Sequence, residues 1–151
     1  MRYLLFILSI GLIVSYNRNS AVKYAKKWCN IYNTSYKNYN PEGGDSANFV
    51  SQCLIAGGMN LVSMCGSGAA WGQGGTVPAV ADMRNCFQKN GWSSSSSVKS
   101  EFKMGDVVLY DGHATFAISG HPKVLIAAHN KEQCSGSPNY RSGAVYWHYK
   151  G

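Results

Sequence analysis

The residues of this chain able to carry chemistry are four histidines, five cysteines and one serine in an unusual place. The serine is Ser46, inside the stretch "GGDSANFVSQCLIAGG" that covers residues 43–58. Apolar residues Phe49, Val50, Cys53 and Leu54 follow it at helical spacing, Asp45 stands where an N-cap would, and Gly57-Gly58 ends the run. Ser46 is therefore expected at the mouth of a helix. Backbone N–H groups are unpaired there, and the helix dipole is positive. Such a position lowers the pKa of a thiol and can hold an oxyanion. A nucleophile also needs a base. His113 opens an apolar strand after "VVLYDG", and His129 closes the next one. On neighbouring antiparallel strands the two would stand side by side, one acting as base and the other orienting it. His121, before Pro122 in a turn, reads as structural, and His148 lies in a C-terminal strand.

The surrounding pattern supplies elements to position these groups. Residues 19–32 carry Val22, Ala25, Trp28, Cys29 and Tyr32 at helical spacing, with Asn19 as a candidate cap. Residues 33–44, rich in Asn, Tyr, Gly and Pro, read as a loop, and the Gly-rich stretch 59–77 as irregular. Thr76 and Pro78 look like the cap and first turn of a third helix that ends before Gly91, with Ala79, Val80, Met83 and Phe87 inside. The serine run 93–97 reads as a loop. Four short apolar runs then follow with strand periodicity: 105–110, 113–119, 123–129 and 144–149. Helices first and an antiparallel sheet second is the order of an α+β domain.

The 151 residues suit one domain. Arg2 and the apolar run from Leu4 to Val14 read as a signal peptide. Cleavage is expected near Ser15, where Ile13 and Ser15 take the −3 and −1 positions, leaving residues 16–151 as the mature domain. No later segment is long and apolar enough to span a bilayer. In an oxidising compartment an odd number of cysteines leaves a thiol over. Cys53, on the inner helix face, is the expected buried thiol, and Cys29, Cys65, Cys86 and Cys134 are left for two disulfides of unspecified pairing. No CxxC pair or zinc-finger spacing occurs, so no metal is expected. The formal charge of +7 draws a secreted protein to anionic surfaces such as bacterial walls, but the basic residues are scattered and resemble no nucleic-acid module. Asn33-Thr34-Ser35 is a glycosylation sequon. Trp71, Trp92, Tyr110 and Trp147 either line a groove or, for the most part, fill the core.

Four stretches in order, "YNRNSAVKYAKKW" (16–28), "GGDSANFVSQCLIAGG" (43–58), "GDVVLY" (105–110) and "HATFAIS" (113–119), resemble the putative amidase domain family, a branch of the papain-like cell-wall hydrolases beside CHAP and NlpC/P60. The resemblance implies a papain-like α+β fold with N-terminal helices packed on a C-terminal antiparallel sheet. It also implies a secreted, monomeric enzyme that needs no cofactor and cuts amide bonds of bacterial peptidoglycan or its peptides. An inhibitor or immunity protein is a possible partner; nucleic acid and stable membrane insertion are not implied. The family's pattern reads G-G-D-C-[TA]-N-F-V-S-Q, so Ser46 stands where the nucleophilic cysteine is expected. Carried over in the same way, His113 is the base, His129 the orienting residue with Asn130 as its alternative, and Tyr39 the loop's oxyanion donor. The rest of the motif is intact. A serine in the thiol's place therefore reads as a Cys→Ser substitution that silences an amidase or, alternatively, as a natural pseudoenzyme that binds cell wall without cleaving it.

Overall fold

The computed structural model describes residues 15–66, 68–130 and 133–151. The expected signal segment, apart from Ser15, lies outside the described residues. Among those described, four α-helices precede or flank a six-stranded antiparallel sheet. The helices are α1 (Arg18–Trp28), α2 (Ser46–Ala56), α3 (Leu61–Cys65) and α4 (Val80–Lys89). The strands are β1 (Ser93–Ser95), β2 (Val107–Tyr110), β3 (His113–Ala117), β4 (Ile126–Ala128), β5 (Gln133–Gly136) and β6 (Val145–His148), in the spatial order β1-β6-β2-β3-β4-β5. No helix among the described residues is long and apolar enough to cross a membrane.

Helix α2 is central: every residue from Ser46 to Leu54 is buried. It packs on α1 on one side and on β3 on the other. A buried helix side chain that is polar usually finds a partner, and α2 provides them at Ser51, Gln52 and the Nδ2 of Asn48, while Asn48 Oδ1 is buried without one among the described residues. Ser51 Oγ donates to the Ala47 carbonyl at 2.8 Å and accepts from the Val77 N–H at 3.0 Å. Gln52 Oε1 accepts from the Tyr24 hydroxyl. Asn48 Nδ2 donates to the Lys37 carbonyl and to Asp45 Oδ1.

Phe49, Leu54, Met83, Phe87, Trp92 and Phe116 belong to the core between the helices and the sheet. The other sheet face carries a second cluster around Phe102, Val108, Tyr110, Ile126 and Tyr146. Strands β2 and β3 are buried on both faces. A polar tie closes the far end of the fold. Asp106 is fully buried; its Oδ1 accepts from Arg18 Nη1 at 2.7 Å and its Oδ2 from His148 Nδ1 at 2.7 Å. Arg18 also donates to the carbonyls of Met104 and Tyr149, so α1 is fastened to the last strand.

Several sequence-based expectations are corrected. Helix α1 starts one residue early and is capped by Asn17, not Asn19: Asn17 Oδ1 accepts from the Ser20 N–H. The third expected helix begins at Val80 with Ala79 at its N-cap, so Thr76 and Pro78 lie ahead of it. The Gly-rich stretch contains the short helix α3, and the serine run contains β1, where Ser93 to Ser95 pair with β6. β5 lies beyond the last expected strand of that region and pairs with β4. Trp92, Tyr110 and Trp147 are buried in the core, while Trp71 is 38% exposed.

Disulfides join Cys29 to Cys134 and Cys65 to Cys86, and Cys53 is a buried free thiol. Cys29–Cys134 closes a separation of 105 residues and Cys65–Cys86 one of 21. Loop-closure entropy grows with the logarithm of that separation. Replacing both cysteines of the long bridge by serine is expected to cost about 4–5 kcal/mol in urea denaturation, and the short bridge about 3 kcal/mol. The reverse ranking would contradict the loop-entropy account.

Candidate active site

The mouth of α2 is organised by a carboxylate. Asp45 occupies the N-cap position but makes no side-chain cap bond to the helix. Its Oδ1 instead accepts from the Tyr39 N–H at 2.8 Å and from Asn48 Nδ2 at 2.9 Å. Its Oδ2 lies 2.7 Å from His129 Nδ1. The other ring nitrogen, His129 Nε2, lies 2.8 Å from the carbonyl of Trp28. A carbonyl oxygen only accepts, so Nε2 carries a proton and a further proton lies between Nδ1 and Oδ2. The His129 ring is sandwiched, stacked on Phe49 at 4.1 Å and tilted against Tyr32 at 4.4 Å.

With Asp45 turned away, the first N–H groups of α2 keep no side-chain cap and face the approach to Ser46. Two glycines make that approach possible. Gly43 and Gly44 take φ of 108° and 134°, conformations that side chains disfavour, and a Cβ on Gly44 would meet Asn130 Nδ2 at 3.2 Å. Asn130, itself left-handed at φ 64°, accepts the Asp45 N–H on Oδ1 at 2.9 Å.

Ser46 is 5% exposed and accepts the N–H of Ala114 on Oγ at 3.2 Å. Ala114 follows His113 at the start of β3, after the two-residue turn Asp111-Gly112. Ser46 and His113 thus line one cleft of about 970 Å³, together with Asn40, Gly44, Asn130 and Tyr140. Arg84 and Arg141 reach the same cleft. The His113 ring is held at Nε2 by the Tyr140 hydroxyl, 2.6 Å away. Burial, reinforced by the positive charge of Arg141, lowers the His113 pKa to about 4, so the imidazole is neutral at neutral pH.

Three sequence expectations sit differently. His129 does not orient His113. Side chains alternate across a strand; His129 shares the helix-side face with Ala127, whereas His113 shares the opposite face with Ala117. Both His129 nitrogens are already engaged. Tyr39 spends its N–H on Asp45, its ring lies by Lys37, and it does not line the cleft; the neighbouring Asn40 does. Asn130 is in the cleft, but its carbonyl oxygen holds the start of α2. Tyr140 was not foreseen: it lies 27 residues from His113 in a segment with no strand or helix periodicity. Its only cue is an aromatic residue beside Arg141 in a polar turn. None of Trp71, Trp92, Tyr110 and Trp147 lines the cleft.

A family model described as "Putative amidase domain" matches residues 15–150. The Bacillus subtilis (strain 168) protein named "Uncharacterized protein YhbB" is 28% identical over 153 residues, covering 94% of this chain and 47% of that protein. The chain therefore spans about half the length of the curated relative it matches. No solved structure matches it.

The lowered pKa of His113 has a measurable sign. Between about pH 4 and the unfolded value near 6.5, the unfolded chain binds the extra proton and the folded chain does not, so this group makes stability rise with pH. Nitrogen-15 NMR of the Ser46 protein should show the His113 ring titrating near pH 4. A midpoint at or above 6.5 would contradict the burial described here.

Proposed function

This chain belongs to the putative amidase domain family, and from that premise we propose that its fold serves secreted hydrolysis of amide bonds in bacterial peptidoglycan. Position 46 is the nucleophile's place and His113 is the base. The observation that carries the reading is the contact of Ser46 Oγ with the Ala114 N–H, which sets position 46, at a helix mouth, against the strand that His113 opens. The shared cleft is large enough for several residues of a peptide.

The chemistry runs through an acyl-enzyme. Nε2 of His113 is taken by Tyr140, so Nδ1 is the nitrogen left to receive the nucleophile's proton. The nucleophile attacks the amide carbon. The resulting oxyanion is held by the N–H of residue 46 and a donor of the preceding loop, of which the Asn40 side chain lines the cleft. The protonated imidazole then gives its proton to the departing amine as the C–N bond breaks. Water, losing a proton to the same nitrogen, releases the acid and restores residue 46.

A thiol suits this site better than a hydroxyl. An imidazole whose pKa is held near 4 is a weak acceptor for a hydroxyl's proton. A thiolate beside it would supply the negative charge that raises the imidazolium's stability, and the helix dipole would favour that thiolate. Ser46 lacks that option, so the chain as it stands is a slow or silent hydrolase. Two disulfides fit an oxidising compartment, and the net charge of +7 fits an anionic wall. The second reading, a wall-binding protein without hydrolysis, draws on the same fact: the motif around Ser46 is intact and only the thiol is missing.

Purified peptidoglycan incubated with the parent chain, the Ser46→Cys variant and Ser46→Cys/His113→Ala separates these readings. The thiol variant is expected to release peptides roughly a hundredfold or more faster than either other chain. Wall binding without peptide release by all three supports the binding protein, and neither binding nor release removes peptidoglycan as the substrate.

A further inference from the structure

The orienting group that His129 does not provide is supplied from another part of the chain. We propose that Tyr140 is the positioning residue for His113: its phenol oxygen accepts the Nε2–H and so fixes the tautomer and ring angle that leave Nδ1 available to position 46. What the histidine then does rests on the hydrolase reading, whereas how it is held does not.

The contact is built rather than incidental. Tyr140 ends a 3-10 turn, Pro138–Tyr140, that begins with Ser137 accepting the Asn139 N–H on its side chain. The same turn is fastened to the sheet: the hydroxyl of Tyr110 donates to the Pro138 carbonyl at 2.6 Å. Tyr110 is the register partner of His113 across the β2–β3 hairpin. The residue facing the histidine in the sheet therefore also anchors the turn that delivers the phenol. The Tyr140 ring meets both neighbours edge-on, Tyr110 at 71° and His113 at 79°. The phenol ring is thus oriented by two aromatic neighbours, although it is 38% exposed.

The protonation chemistry agrees with the geometry. Burial raises the Tyr140 pKa, and the neighbouring Arg141 only partly opposes this, so the phenol is neutral over the working range. A neutral oxygen can accept the Nε2–H of both the neutral imidazole and the imidazolium. It stabilises the latter without placing a full negative charge in the cleft. Of the remaining ionisable groups lining the cleft, Arg84 comes from α4, Asp111 from the hairpin turn, Glu42 from the loop before α2, and Arg141 follows the tyrosine's own turn. All four stay in place when the phenol hydroxyl alone is removed.

Two measurements that need no substrate test this, and a third uses peptidoglycan. In the Ser46 protein, the short bond should give the His113 Nε2–H a slowly exchanging NMR resonance, and Tyr140→Phe, which keeps the ring, should abolish it. In the Ser46→Cys background, the rate of iodoacetamide alkylation at position 46 reports thiolate content as pH falls; buried Cys53 should not react. Removing an acceptor from the imidazolium should move the midpoint of that profile up by about one pH unit, slowing alkylation near pH 5 about tenfold. Tyr140→Phe should also lower kcat on peptidoglycan about tenfold or more at unchanged KM. An unchanged resonance or an unchanged alkylation midpoint overturns the assignment. If both change as stated but the thiol variant digests no peptidoglycan, Tyr140 still positions His113 and the proposed substrate is what fails.

Discussion

The candidate site is organised around one buried contact, the 2.7 Å hydrogen bond between Asp45 Oδ2 and His129 Nδ1. A carboxylate at a helix N-cap ordinarily spends itself on the helix's own N–H groups. Here it is held away from them by an imidazole wedged between Phe49 and Tyr32. The consequence is geometric. One carboxylate fixes the loop at Tyr39, the first turn of α2 at Asn48 and the end of β4 at His129. The histidine's second bond adds the end of α1 through Trp28. Removing one partner leaves a buried polar group without its hydrogen bond, a cost of about 1–3 kcal/mol. The arrangement leaves the helix's first donors for whatever binds over residue 46, which an ordinary cap would not.

Two tethers therefore bound the domain. At one end Asp106 gathers Arg18 and His148 and closes α1 onto the last strand. At the other, Asp45 gathers the loop, the helix and β4 and leaves a cleft open. The cleft's second wall is the β2–β3 hairpin with the Tyr140 turn pinned to it. Between the tethers, α2 lies buried against β3, so the serine at its head and the histidine at the strand's head cannot move independently.

Much of this is written locally in the chain. The apolar spacing after Ser46, the N-cap at Asp45 and the glycine stop define α2, and the four apolar runs all contain strands. The division of cysteines is local too, since Cys53 lies on the inner face of that helix. What escaped was set by tertiary contact. The residues of α3 form a helix of five within a glycine-rich stretch, held at Cys65 by the bridge to α4. Ser93 to Ser95 have no strand signature of their own and are strand because β6 offers them an edge. The misreading of His129 is the most instructive. Adjacent strands place His113 and His129 close in register, but the alternation of side chains sends them to opposite faces, and strand ends alone do not fix which face. Tyr140 comes from a turn whose position is decided by a hydroxyl on β2, a contact that no local pattern encodes.

The central claim is that residue 46 and the imidazole of His113 meet a ligand together in one cleft at the mouth of α2. A crystal structure of the Ser46→Cys variant treated with a peptide aldehyde tests it most directly. The account predicts a thiohemiacetal on residue 46, its oxygen on the residue's own N–H, with His113 within hydrogen-bond reach of the adduct. An aldehyde bound elsewhere, or an adduct at residue 46 that His113 cannot reach across the cleft, would contradict it.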